Sequence, residues 1–135
     1  MARAQRVAYF QINLEDKAGS LLALAQGLKS KNLGLVGLGT MGAEAGQAGV
    51  YLIAKNPDKL RGWLKSSGVT TEEGTGFFLR GADKTGALVK SLEPIAQAGI
   101  NIVAIDAIAV GGKYGTFFRV PSPDVEKTAK LLGAE

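Results

Sequence analysis

Apolar and polar positions alternate over residues 6–14: Ala8, Phe10, Ile12 and Leu14 face one side, and Val7, Tyr9, Gln11 and Asn13 the other. A period of two marks a half-buried strand. After the polar break Glu15–Gly19 the period changes. Leu21, Leu22, Leu24, Ala25 and Leu28 fall on one stripe of a helix, with Lys29 and Lys31 in its last turn and Asn32 at its end. Residues 33–41 predict a second strand, Gly42–Gly49 a flexible turn and Val50–Ala54 a third strand. Asn56-Pro57-Asp58 opens a second helix, with Leu60, Trp63 and Leu64 on its apolar face and Gly68 as its stop. Val69–Glu73 predicts a short fourth strand.

The same order then recurs. Phe77–Leu79 predicts a strand and Gly81–Gly86 a loop. Leu88, Val89, Leu92, Ile95 and Ala96 form a helical stripe stopped by Gly99. Ile100–Val110 predicts a strand, Gly111–Gly115 a turn that exposes Tyr114, and Thr116–Val120 another strand. Of Phe117 and Phe118, one belongs in the core and the other on the far face or an interface. Pro121-Ser122-Pro123-Asp124 opens a last helix ending near Leu132. Asp16 matches Asp83, Gly19 matches Gly86 and Leu21 matches Leu88, each 67 positions apart. The second copy stops before any counterpart of Val69–Glu73.

Composition narrows the chemistry. The 135 residues allow one domain or two small ones. A unit of about 65 residues is marginal alone, so two such units are expected to pack together. With no Cys and no His, disulfides, thiol nucleophiles, the Ser-His-Asp triad and most zinc sites are excluded. Neither a metal nor a cofactor is expected. The net charge of +4 is scattered without a basic run, so a solvated surface is indicated rather than a nucleic-acid partner. Phe78, Arg80 and Arg119 make only a faint version of an RNA-binding sheet. No apolar run is long enough for a membrane span and nothing resembles a signal peptide, so a cytoplasmic protein is expected.

The twice-used phrase Asp-Lys-x-Gly-x-Leu between a strand and a helix, followed in the second copy by Gly99-Ile100-Asn101-Ile102-Val103, resembles the ACT domain over almost the whole chain. The resemblance implies an α+β protein of two ferredoxin-like βαββαβ units packed side by side, roughly residues 1–75 and 76–135, the second lacking its last strand. It implies a non-catalytic module that senses an amino acid for regulation, with ligand where the first loop of one unit meets the second strand of its neighbour. The candidate site residues are Asp16, Lys17, Ala18, Gly19, Ser20 and Leu21, then Asp83, Lys84, Thr85, Gly86, Ala87 and Leu88, with Asn101.

The physics of a helix start supports such a site: unpaired N–H groups and the positive dipole end suit a carboxylate, and glycine lets backbone approach closely. Asp16, Asp83 or strand carbonyls could take an ammonium. The alternative is that Asp16 and Asp83 only cap their helices, leaving a structural or protein-interaction module with a vestigial site. The missing strand leaves an open sheet edge in the second unit, which predicts a homo-oligomer.

Two other motifs attract attention. Gly37-Leu38-Gly39-Thr40-Met41-Gly42 spells a nucleotide fingerprint, but that motif needs a helix at its third glycine, and the seven residues Ala43–Gly49 are too few before the next strand. Glycines in a strand instead mark close packing or a ligand floor. Asp83-Lys84-Thr85-Gly86 also begins like the phosphorylated loop of P-type ATPases, yet Ala87 stands where those have Thr and no matching carboxylate motif follows.

Overall fold

The computed structural model describes residues 3–44 and 46–134. In chain order the elements are β1 (Arg3–Glu15), α1 (Ser20–Ser30), β2 (Leu35–Glu44), β3 (Gln47–Ala54), α2 (Pro57–Ser66), β4 (Thr71–Ala82), α3 (Ala87–Gln97), β5 (Ala104–Val110), β6 (Lys113–Arg119), a 3-10 turn at Ser122–Asp124 and α4 (Val125–Leu132). The chain is an α+β protein. It divides into a first unit, Ala8–Gly74, and a second unit that joins the residues up to Val7 to those from Thr75 onward.

In the first unit the strand order is β2-β3-β1-β4. β1 and β3 pair antiparallel from Phe10↔Leu52 to Glu15↔Gln47, and β2 pairs antiparallel with β3. Alternation along β1 places Phe10 and Ile12 in a core with Val50 and Leu52, closed by Leu24 and Leu28 of α1 and Leu60 and Leu64 of α2. Ala8 and Leu14 pack at its margin, so the predicted face of β1 is the observed one. The helical stripe is narrower than expected. Leu21 and Leu22 are exposed, because only the positions one turn apart at Leu24 and Leu28 reach the sheet.

Asn56 caps α2 by accepting from the Lys59 amide at 3.2 Å, and Pro57 occupies the first turn, where its missing N–H costs nothing. Arg61 of α2 holds the last strand of this unit. It donates to both carboxylate oxygens of Glu73 at 2.7 Å and lies 5.5 Å from the Phe10 ring centroid. These hydrogen bonds hold the Glu73 carboxyl below the usual carboxylate range.

In the second unit the order is β1-β4-β6-β5, with β4, β5 and β6 antiparallel. Its core is Phe77, Leu79 and Phe118 under Ile95 of α3 and Ala129 of α4, and Ala4 of β1 packs against it. Phe118 is the core member of the aromatic pair. Phe117 lies on the other face over Gly76, where an added Cβ would come within 2.5 Å of its ring.

Four expectations are corrected here. The predicted strands at Val69–Glu73 and Phe77–Leu79 are one strand, β4, because Gly74 and Gly76 lie under the rings of Tyr9 and Phe117 and continue the pleat. The turn placed at Gly42–Gly49 shrinks, since β2 reaches Glu44 and β3 begins at Gln47; Ala45 lies outside the described residues. The turn at Gly111–Gly115 is likewise only Gly111 and Gly112, both at positive φ, so Tyr114 is a buried strand residue rather than an exposed one. The edge beside β4 is not open: residues of β1 occupy the place where a last strand of the second copy would lie. The exposed edge of the second unit is β5, where Ile108 and Val110 are 70% and 72% exposed.

Candidate functional site

Each copy of the repeated phrase is pinned at its start by backbone. The Asp16 amide donates to the Gly46 carbonyl at 2.8 Å, and the Asp83 amide to the Gly112 carbonyl at 2.9 Å. The loop is therefore fastened to the tip of the hairpin beside it, and the hairpin glycines take the positive φ that presents those carbonyls. At the end of the phrase Gly19 (φ 91°) and Gly86 (φ 80°) are the residues that precede the helices.

Neither helix has a side-chain cap. Asp16 and Asp83 sit three residues before their glycines, beyond the position from which a carboxylate caps, so the capping alternative is overturned in both copies. Both aspartates are exposed, and among the described residues neither carboxylate has a hydrogen-bond or ion partner. The amides of Leu21 and Leu88 likewise meet no acceptor among the described residues. An exposed acid and an unused N–H at a positive helix end thus stand together twice.

The copies differ in what surrounds the phrase. In the second unit, Asp83, Lys84, Gly86, Ala87 and Leu88 border a hollow of about 280 Å³ with Ala107–Ala109 of β5 and Tyr114. Thr85 is exposed beside it and lines a separate cleft against the helices. In the first unit, Lys17 pairs with Glu15 at 3.0 Å, and Lys17 and Ser20 line a groove below α1; Ala18 is exposed. Asn101 does not join either set. It is exposed before β5, at the end where Val103 bonds Arg119, roughly 20 Å of extended strand from Ala107–Ala109.

Sequence reasoning missed Tyr114, Lys90, Ser91 and Ala107–Ala109. For Lys90 and Ser91 a signal existed: aligned at 67 positions, they stand where the first copy has Ala23 and Leu24, so the apolar stripe breaks there. Gly37–Gly42 lies within β2, and the next element among the described residues is the strand β3 rather than a helix, so the motif does not open the helix that a nucleotide fingerprint needs. Gly39 instead seats the ring of Tyr51, 2.2 Å from where its Cβ would be. Among the described residues no cluster of acids could hold a metal, and no helix is long and apolar enough to cross a membrane.

No family model matches the chain, and no curated protein matches it. Solved structures do. Protein BT0572 from Bacteroides thetaiotaomicron superposes with TM-score 0.83 at 22% identity over 96% of this chain and 88% of that one. The ligand-free regulatory subunit of aspartate kinase from Thermus thermophilus gives TM-score 0.65 at 12% identity over 98% and 94%. The chain has the fold of ACT-type regulatory domains. The same fold is found in E. coli aspartokinase III, solved in complex with aspartate and ADP, with TM-score 0.57 at 20% identity over 97% of this chain and 32% of that one. The regulatory subunit from Thermus thermophilus is thus matched over nearly its full length, and the aspartokinase over about a third of its length.

Proposed function

We propose that this ACT-type protein is a non-catalytic sensor of an amino acid, with the ligand in the hollow between the Asp83–Leu88 loop and β5. The observation that carries this is the pairing of an uncapped helix start with an unpartnered Asp83 carboxylate at the hollow. The α-carboxylate lies on the Leu88 amide at the helix start, where the unused N–H and the helix dipole favour an anion, and the ammonium lies against Asp83. The strand orders support reading each unit as ferredoxin-like, the second completed by β1. The exposed edge of β5 supports a homo-oligomer in which a second chain pairs along β5 and closes the hollow. A ligand bound there would regulate by favouring the paired state, to the extent that it binds that state more tightly. The Asp16–Leu21 loop is the weaker copy, since Glu15 already neutralises its lysine.

A thermal-shift screen of the full chain against the twenty amino acids tests this. One of them at 100 times its dissociation constant adds about 2.7 kcal/mol, and Gly86→Val abolishes the shift while Gly19→Val keeps it, both variants checked for folding by circular dichroism. No shift with any amino acid would overturn the proposal. It would favour a protein-interaction module, the reading to which the exposed apolar pair Ile108 and Val110 on one face of β5 otherwise points.

A further inference from the structure

The two phrases and the helices after them align without a gap, so each groove residue on the loop and first helix of one unit has a counterpart in the other. In the first unit the groove between α1 and α2 is narrower. Leu24 is 8% exposed within the core, and Trp63 lies so close to Gly27 that a Cβ there would stand 2.9 Å from the ring. Glu15 neutralises Lys17 at its mouth, and about 410 Å³ is left.

The second unit reverses each of these choices. Ser91 replaces Leu24, Lys90 replaces Ala23 and Ala82 replaces Glu15. The counterpart of Trp63, with one residue lost between the copies, is the small buried Ala129, and α4 meets the cleft through Leu131 and Leu132. The result is a cleft of about 660 Å³ against α3, with Leu79, Pro94 and Leu132 as apolar lining. That is within the range of about 300–1,000 Å³ typical of small-molecule sites. Lys84, Lys90 and Ser91 line it, no acid lines it, and among the described residues neither lysine has a carboxylate partner. The first turn of α3 carries no acid either, so its dipole adds to the positive potential.

We propose that this cleft is a second binding site, for a small organic anion with an apolar body, its carboxylate or phosphate head on Lys84, Lys90 and Ser91. An open cavity walled by leucine and proline suits the body, and unneutralised lysines suit the head. The cleft adjoins the hollow at β5, since Lys84, Gly86, Ala87 and Tyr114 border both, but Lys90, Ser91, Pro94 and Leu132 belong to the cleft alone.

The test is amide chemical-shift titration of the full chain with octanoate, with phenyl phosphate and with 1-octanol. One of the anions shifts the amides of Lys90, Ser91 and Leu131, and which one distinguishes a carboxylate from a phosphate ligand; octanol does not. Lys90→Glu and Ser91→Leu each weaken that binding by at least about tenfold, while Lys29→Glu on α1 leaves it unchanged. Lys90 is exposed, so its variant decides the matter even if Ser91→Leu perturbs packing. The proposal is overturned if neither anion shifts these amides, if octanol shifts them equally, or if both cleft variants bind as the parent does. An amino acid that perturbs Ala107–Ala109 without anions acting at Lys90 would sink this site alone; the opposite pattern would sink the sensor proposal alone.

Discussion

The first unit narrows the groove between its two helices with Leu24 and Trp63; the second holds Ser91 and a small α4 residue at the corresponding positions and leaves a larger cleft. Yet both have the same order of strands and helices, the same uncapped glycine before the first helix and the same amide-to-glycine pin. Backbone and groove are therefore specified by different residues. Loop geometry depends on glycines at positive φ and on backbone hydrogen bonds, which a repeated phrase carries unchanged. Groove volume depends on side chains facing the sheet, which can change by a residue or two without moving the strands.

The sharpest way to break this contrast is Trp63→Ala, which opens the groove of the first unit. A loss of about 3 kcal/mol is expected in urea unfolding, at the lower end for truncating a large aromatic because the ring is only partly buried. A loss well under 1 kcal/mol would show that the ring does not stabilise the unit. Next in size is the cap comparison. Asn56→Ala should lower stability by about 1 kcal/mol, whereas Asp16→Ala and Asp83→Ala should change it by less than about 0.5 kcal/mol, since neither carboxylate caps. A melting-temperature drop for an aspartate variant as large as that for Asn56→Ala would restore the capping role.

Thr116 offers a change of opposite sign. Its hydroxyl is buried without a hydrogen-bond partner among the described residues, and it pairs with Leu79 as Val50 pairs with Ile12. Thr116→Val should be neutral or stabilising by up to about 1 kcal/mol; a clear destabilisation would mean that the hydroxyl is satisfied. The smallest effect concerns Glu73. Its depressed carboxyl pKa means that the Arg61 contact stabilises the fold above the ordinary carboxylate range and is lost as pH falls through the depressed value. Glu73→Gln should thus melt slightly below the parent at neutral pH and level with it in strong acid; a pH-independent gap would refute this account.

Much of the fold was legible because periodicity reports which face of an element is buried. The alternation along Phe10 and Ile12 and the stripe through Leu24 and Leu28 both found their core. Boundaries at glycines were less legible. Gly74 and Gly76 read as a break in sequence, but aromatic rings from neighbouring strands pack over them and keep β4 whole. Asn101 was named by its neighbours in the chain, and the direction of β5 carries it away from the loop.

The amino-acid sequence by itself determined the two-copy order of elements, the loop phrase at the head of two helices and the absence of imidazole and thiol chemistry, since each is a local or compositional property. Only the tertiary structure decided that Asp16 and Asp83 cap nothing, that β1 serves both units, and that Lys84 and Lys90 face one cleft. Those facts depend on where separate segments meet in space, which local pattern does not encode.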